Sequence, residues 1–168
     1  VPAVMRWPAG IQAPGRREDA FVSLADFGPT FLEAAGLADA LAAYPTTPAR
    51  RLAGASLMPF LRNERPAAWR DAIHTQCNGV ELYYTQRSVM TRDWKYVYNG
   101  FDYDELYDLR ADPHEMHNLA RHPGPAQRAV IRQMCQRMWR FAHDHDDTAI
   151  NPYITVGLAP FGPAEAFR

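Results

Sequence analysis

The stretch Glu105-Leu106-Tyr107-Asp108-Leu109-Arg110-Ala111-Asp112-Pro113-His114-Glu115-Met116-His117-Asn118-Leu119-Ala120 decides the fold. Its first residues form a short run that predicts a β-strand over 105–109. Asp112-Pro113 predicts a turn immediately afterwards. Further along, apolar residues recur at helical spacing and predict a helix over about 125–143. A strand end, a turn and the approach to a helix are therefore fixed together within one short segment.

Three more strands are predicted directly upstream of this segment. Short runs rich in Ile, Val, Tyr and Thr span residues 72–77, 83–91 and 94–98. Arg92-Asp93 leaves a two-residue link that predicts a hairpin, and Asn99-Gly100 supplies the next turn. Successive strands joined by short turns predict a four-stranded antiparallel meander.

The predicted helix has one apolar face with which to cover this sheet. Its stripe consists of Val130, Ile131, Met134, Cys135, Met138, Trp139 and Ala142. One sheet covered by one helix forms a compact two-layer unit, for which we expect the range 63–145. Residues 146–168 carry prolines and glycines near their end and predict an extended tail.

The N-terminal part, residues 1–62, has a different texture. Residues 2–7 predict a buried strand. A helix is expected to begin near Gly28 with Asp26 as its cap, which places Pro29 in the first turn. Since the chain opens inside a predicted strand, without Met or a signal sequence, we expect it to be truncated. The fold class is α/β, with a strand and helix from the end of a larger domain followed by the smaller sheet unit.

Composition argues against several classes of partner. The chain has 168 residues, of which 47% are hydrophobic and 22% charged, as is ordinary for a globular domain. A formal net charge of -1 provides no field to attract nucleic acid or an anionic membrane. No apolar run reaches the roughly 20 residues of a transmembrane helix. Cys77 and Cys135 are the only cysteines and have neither a disulfide-framework nor a zinc-ligand spacing.

Several blocks of the sequence resemble the C-terminal region of the sulfatases of the alkaline-phosphatase superfamily. Residues 1–10, VPAVMRWPAG, are similar to the family's VPLIVRWPG strand. Residues 22–37, VSLADFGPTFLEAAGL, resemble its VSLVDLAPTLLDLAGL helix, and residues 54–61, GASLMPFL, resemble its GRSLLPLL. Residues 105–120 resemble its ELYDLxxDPxExxNLA block, which is the most specific of these signals. The resemblance covers residues 1 to about 143.

The resemblance implies hydrolysis of a small-molecule sulfate ester. Sulfatases use a formylglycine nucleophile, made from a Cys or Ser in a C/S-x-P/A-x-R motif, and a divalent cation, usually Ca²⁺. Neither Cys77 nor Cys135 stands in such a motif, and no Asp-His-Gly metal block is present. We therefore expect no catalytic residue and no metal ligand in this chain, because in the family those groups lie upstream.

Two alternatives to a sulfatase remain open from the sequence. The C-terminal regions of phosphonate and phosphodiester hydrolases of the same superfamily look similar. The other alternative is a non-catalytic binding module encoded alone. The upstream reading frame discriminates between them, since a C/S-x-P/A-x-R motif indicates formylglycine chemistry and a start codon before Val1 indicates a separate module.

Candidate substrate-binding residues lie near the ends of the first two strands. They are His74, Gln76, Asn78, Gln86 and Arg87. In sulfatases the strand ends of this subdomain face the catalytic cleft, so the resemblance implies that these side chains contact substrate. Uncharged hydrogen-bonding groups with one arginine suit a sugar or phenolic sulfate ester. The alternative is that Gln76 and Gln86 only face solvent on a half-exposed sheet.

Three other patterns have ordinary explanations. His114-Glu115-Met116-His117 is one residue short of the zinc motif H-E-x-x-H. Residues 143–147, His-Asp-His-Asp-Asp, could hold a cation, but a solvated helix end is the better interpretation. Aromatic residues interleaved with basic ones can bind single-stranded nucleic acid. Only Arg87, Arg92 and Lys95 lie near the aromatic cluster, so core and cross-strand packing is favoured. The aromatic cluster contains Tyr83, Tyr84, Trp94, Tyr96, Tyr98, Phe101, Tyr103 and Tyr107.

Overall fold

A computed structural model describes residues 3–39, 53–79, 85–100, 102–147 and 159–168. The chain divides into two compact units, Val1–Arg70 and Asp71–Arg168. Within the described ranges, no helix is both long enough and apolar enough to cross a bilayer.

The first unit contains a helix that starts at Phe27, one residue before the predicted start near Gly28. A 3-10 turn, Leu24–Asp26, leads directly into α1, Phe27–Ala34. Ser23 caps this turn, and Asp26 completes a capping box by accepting a hydrogen bond from the Ser23 amide at 2.7 Å. Asp26 is the residue at the cap position of α1, as predicted, but its side chain bonds to no α1 amide and acts instead as the acidic partner of Ser23 in the box. A short second helix, α2, follows at Met58–Leu61.

The strand predicted for residues 2–7 is not formed in the described part, residues 3–7. The Val4 side chain is 94% exposed. A strand needs a hydrogen-bonded neighbour, and the described strands, which all lie between residues 72 and 108, pair only with one another. The apolar character of residues 2–7 therefore predicted a strand, but no described residue pairs with residues 3–7.

The second unit confirms the predicted meander. Its strands are β1, Ala72–Cys77, β2, Gln86–Thr91, β3, Trp94–Asn99, and β4, Glu105–Asp108. They pair antiparallel in the order β1-β2-β3-β4, with β2 and β3 joined by the two-residue link Arg92-Asp93. Residues 83–84 of the predicted second strand lie outside the described ranges.

One helix covers this sheet, as the sequence predicts. Helix α3 spans Pro125–Asp144 and begins with proline in its first turn, where a missing N–H costs nothing. The core joins helix residues to strand residues and consists mainly of Val89, Tyr96, Tyr98, Leu106, Ile131, Met134, Cys135, Met138 and Trp139. The helical period of the apolar residues therefore identified the buried face of α3 correctly.

The segment after β4 is held by polar side chains that bond to backbone groups. Asn118 Oδ1 accepts from the amides of Leu106 (3.1 Å) and Ala120 (2.8 Å), and its Nδ2 donates to the Asp104 carbonyl at 3.0 Å. The carboxylate of Asp112 accepts hydrogen bonds from the backbone amides of Met116 and His117 in the turn that follows. The polar positions of the 105–120 block thus satisfy backbone donors that a tight turn leaves unpaired.

Residues 159–168 do not form the extended arm that the sequence predicts. They contain a 3-10 helix, Pro163–Phe167, which packs on α3. Ala166 is buried in the core, and Trp139 Nε1 donates to the Phe161 carbonyl at 2.7 Å. Proline and glycine content indicated a loose tail, whereas these long-range contacts fix the segment.

Candidate functional site

The candidate residues concentrate at one end of the sheet. There β1 ends, β2 begins, β3 ends and β4 begins, because the four strands run alternately up and down. Register pairs Gln76 with Arg87. Gln86 pairs with Cys77 on one side and Asn99 on the other. His74 lies further along β1, opposite Val89.

Arg87 is the centre of a buried polar network at this end. Its side chain is 6% exposed, and it forms a forked ion pair with Asp147, with Nε to Oδ2 at 2.7 Å and Nη2 to Oδ1 at 2.9 Å. Its Nη1 donates to Asn78 Oδ1 at 2.8 Å and to the Gln86 carbonyl at 2.9 Å. Arg87 therefore joins the end of β1, the start of β2 and the segment that follows α3.

Asn78 is oriented by this network. Its carboxamide oxygen accepts from Arg87, so its Nδ2 group points away from the guanidinium. No described residue accepts a hydrogen bond from this Nδ2 group. The side chain is half-buried, and among the described residues only Arg87 bonds to it.

Gln86 belongs to a second network on the opposite face of the sheet. Its Nε2 donates to Asn99 Oδ1 at 2.7 Å. The Asn99 amide group in turn donates to Glu105 Oε1 at 3.0 Å and to the Tyr103 carbonyl at 2.9 Å. Gln86 is thus held by protein groups, whereas Gln76 is exposed on the same face as Arg87.

The structure separates His74 from these polar groups. Its ring stacks on Phe141 with centroids 4.1 Å apart and planes 5° apart, and His145 stacks near the same ring at 4.0 Å. Burial lowers the pKa of His74 to about 4, and the positive charges of His145 and Arg137 act in the same direction. His74 is therefore a neutral, covered imidazole that helps to hold the end of α3 on the sheet.

Neither of the two sequence patterns considered as metal sites, residues 114–117 and 143–147, forms a metal-binding cluster in the described ranges. They contain no group of three or more His, Cys, Asp or Glu side chains able to hold a metal ion. His117 lies in the turn that Asp112 organises, and its amide donates to that carboxylate at 2.7 Å. In the acidic run 143–147, Asp147 pairs with Arg87 and His145 stacks on Phe141.

The aromatic residues predicted to form a cluster serve mainly as core. Tyr96 and Tyr98 have no exposed surface, and Trp94 packs against the same cluster. Tyr103 is 71% exposed. Tyr107 is half-buried, and its hydroxyl donates to Glu105 Oε2 at 2.7 Å. The remaining predicted members, residues 83, 84 and 101, lie outside the described ranges.

Sequence reasoning missed two partners at the site, Asp147 and Phe141. Asp147 was visible only as part of an acidic run after a helix, a pattern typical of solvated helix ends. Nothing in a single sequence pairs it with Arg87, which lies 60 positions away.

Comparison with known proteins identifies relatives over most of this length. Residues 1–144 match the family described as "N-sulphoglucosamine sulphohydrolase, C-terminal". An N-acetylglucosamine-6-O-sulfatase of Bacteroides thetaiotaomicron is 36% identical over 129 residues, which cover 71% of this chain and 21% of that protein. A multifunctional alkaline phosphatase superfamily protein of Trinickia caryophylli is 30% identical over 159 residues, 85% of this chain and 29% of that one. The chain thus spans less than a third of the length of these relatives.

Solved structures show the same arrangement. An enzyme in complex with its substrate D-glucosamine-2-N,6-O-disulfate has a TM-score of 0.61 and 30% identity, covering 85% of this chain and 28% of that chain. The phosphonate monoester hydrolase of Agrobacterium radiobacter has a TM-score of 0.64 and 26% identity, covering 78% and 27%. The chain therefore belongs to the N-sulphoglucosamine sulphohydrolase C-terminal family, the C-terminal region of sulfatases of the alkaline-phosphatase superfamily.

Proposed function

We propose that the chain is the C-terminal part of a sulfuric ester hydrolase and that its polar sheet end lines the substrate cleft. The observation that carries this proposal is the family match over residues 1–144, together with 30% identity to an enzyme solved with a sulfated glucosamine. The polar sheet end, defined by Gln76, Asn78, Gln86 and Arg87, places side-chain amide groups beside the buried ion pair of Arg87 and Asp147. Such groups suit the oxygens of a sulfated sugar.

The nucleophile and the cation are assigned to the remainder of the complete protein. Membership of the sulfatases implies a formylglycine and a Ca²⁺ ion, which takes about six to eight oxygen ligands. The described residues contain no group of side chains that fits such an ion. The role left for this chain is to bind and orient the alcohol part of the ester, and to complete the core beneath the cleft.

Of the candidate residues, Asn78 and Gln76 support direct contact best. Asn78 presents Nδ2 donors, and Gln76 is exposed beside Arg87. Arg87 and Gln86 bond to protein groups, and His74 lies under Phe141. The proposed substrate is a small-molecule sulfate ester, in which uncharged amides hydrogen-bond to ring hydroxyls.

A phosphonate or phosphodiester hydrolase is the second candidate. The structural likeness to a phosphonate monoester hydrolase, with a TM-score of 0.64 and 26% identity, favours it specifically. The two candidates share a fold, so they differ in the group that is cleaved and not in this chain's architecture.

The complete protein encoded by the reading frame that contains this chain provides the test. It should be assayed with an aryl sulfate, glucosamine 6-sulfate and a phosphonate monoester. We expect kcat/KM for the sulfate esters to exceed that for the phosphonate. A higher kcat/KM for the phosphonate would select the second candidate, and no turnover of any ester would overturn both.

A further inference from the structure

Asp147 has a role that its sequence context does not suggest. Its carboxylate is 13% exposed and receives two hydrogen bonds from Arg87, at 2.7 and 2.9 Å. Asp147 lies just after the end of α3, so its ion pair with Arg87 attaches this helix end to the polar sheet end. Asp144, three positions earlier, is exposed and forms no ion pair within the described part of the chain.

Counting donors shows what Arg87 can still do. A guanidinium has five N–H groups, and four hydrogen bonds to Asp147, Asn78 and the Gln86 carbonyl use most of them. A forked contact to a sulfate group would therefore require Asp147 to leave. Arg87 is built to hold neighbouring groups, and not to bind a substrate anion in this arrangement.

The group that Arg87 holds is the carboxamide of Asn78. A carboxamide without fixed hydrogen bonds can rotate by 180°, because its oxygen and nitrogen ends have similar shape. Only the oxygen end can accept from Arg87 Nη1, which lies 2.8 Å away. The two Nδ2 donors are then fixed on the side away from the guanidinium.

We propose that Asp147 is a positioning residue, which acts through Arg87 to fix the Asn78 carboxamide with its Nδ2 donors facing the substrate. This inference rests on the proposed function, since it requires the polar sheet end to line the cleft. It replaces a direct contact between Arg87 and substrate by a relay of three side chains. The group that Asn78 meets is an oxygen acceptor, such as a sugar hydroxyl or a sulfate ester oxygen.

Kinetics of the complete enzyme test the relay. Asp147→Asn removes the charge with little change in shape, and should raise KM for the sulfate ester about tenfold, the effect of one lost hydrogen bond, with kcat nearly unchanged. Asp144→Asn is the matched control and should leave KM unchanged. Asn78→Ala should raise KM to a similar extent. Adding Asp147→Asn to Asn78→Ala should then have no further effect, because Asp147 acts only through Asn78.

A second readout uses the 168-residue chain and needs no activity. In ¹⁵N NMR spectra, the Arg87 Nε–H and the Asn78 side-chain amide should give sharp, exchange-protected signals. Asp147→Asn should broaden or shift both, and Asp144→Asn should alter neither. Thermal unfolding of each variant shows whether it remains folded.

Several results would overturn the proposal. Unchanged Asn78 amide signals in Asp147→Asn would do so whatever the kinetics show. So would equal KM values for Asp147→Asn and Asp144→Asn, or an added loss in the double variant, which indicates a general structural role. Absence of hydrolysis by the wild-type enzyme would instead overturn the proposed function and with it the substrate role, while the spectra still decide whether Asp147 fixes Asn78.

Discussion

Asp26 carries a carboxylate with no exposed surface, and four donors make this burial possible. Arg70 donates to both oxygens at 2.6 Å, and the amides of Ser23 and Ala55 donate at 2.7 and 2.9 Å. Burial opposes ionisation, but these hydrogen bonds outweigh it and hold the pKa of Asp26 below its usual value of 3.8. The ionised carboxylate is therefore part of the structure of the first unit.

Removing this carboxylate should destabilise the first unit strongly. Asp26→Ala leaves Arg70 without its counter-ion and two amides without an acceptor, so we expect a loss of about 3–5 kcal/mol in the free energy of unfolding. Urea unfolding followed by circular dichroism measures it, with the exposed Asp19→Ala as control. Because the folded pKa lies below the unfolded one, the stabilisation is present above pH 3.8 and is lost as the pH falls through the folded value. Equal midpoints for the two variants would contradict this account.

The stability of the second unit should depend on pH through His74. The pKa of His74 is about 4 in the folded chain and 6.5 when unperturbed. Between these two pH values the His74 imidazole is therefore protonated mainly in the unfolded chain. Stability is full above pH 6.5 and should fall by at most about 3 kcal/mol towards pH 4. Burial, His145 and Arg137 cause the shift, and Asp71 opposes it.

Unfolding curves at a series of pH values check this dependence. His74→Phe retains a ring against Phe141 and should flatten the slope between pH 6.5 and 4. His114→Gln changes an exposed imidazole and should keep the slope. A slope that survives in His74→Phe would mean that other groups produce it.

At the residue scale, the sequence identified candidates but not their contacts. Asn78 and Arg87 were expected at strand ends, and they do lie together there. Their partner Asp147 could not be predicted, because a single sequence contains no signal for a pair 60 positions apart. His74 was expected beside them, but a stacking partner on a distant helix covers it instead.

At the scale of elements, α1 and the segment before α2 interlock. Thr30 Oγ1 donates to the Asp26 carbonyl at 2.6 Å and accepts from the Leu57 amide at 2.8 Å. Gly54 lies so close to the turn before α1 that a Cβ there would stand 2.0 Å from the Ala25 carbonyl oxygen. The segment can approach only because this position has no side chain.

Gly54→Ala should therefore disrupt this approach. The Cβ meets backbone atoms, which cannot rotate away, so we expect a loss of about 2 kcal/mol or more in the free energy of unfolding. Gly28→Ala is the control, since a Cβ there would meet no atom within 4 Å, and it should change stability by less than about 1 kcal/mol. The difference between their urea midpoints is the measurement, and similar midpoints would show that the segment can shift at low cost.

Elements with a strong local pattern were predicted well. The strands follow from short runs rich in Ile, Val, Tyr and Thr between turns, and the apolar stripe of α3 follows from a period of about 3.6 residues. The errors fell on residues 2–7 and residues 159–168. Residues 3–7 have no strand partner among the described residues, and residues 159–168 pack on a helix that precedes them by about 20 positions. Neither an apolar run nor a proline-rich composition indicates whether such a partner is available.

At the scale of the whole molecule, the chain alone should lack sulfatase activity. It contains no formylglycine motif, and its described residues contain no metal-binding group. Incubation of the purified 168-residue chain with an aryl sulfate should give turnover no higher than a blank. The complete protein is the positive control. Turnover by the chain alone that persists after further purification would contradict the assignment of catalysis to residues outside this chain.

The family was predictable because its most specific positions are structural. Asp26, Gly54, Asp112 and Asn118 lie in the blocks that carry the resemblance, and each satisfies a backbone group or permits a close approach. The polar sheet end contains no such pattern. Family and fold could therefore be predicted from local motifs, whereas the relay from Asp147 to Asn78 required the structure.

The docking of residues 159–168 on α3 sets an order of events during synthesis. A growing chain that has emerged as far as residue 147 already holds all four strands and the whole of α3. It still lacks Ala166, which fills the core, and the Phe161 carbonyl that receives the Trp139 indole N–H. Since domains fold as units while the ribosome elongates them, we expect the second unit to stay open to chaperones and proteases until residues 159–168 have been made.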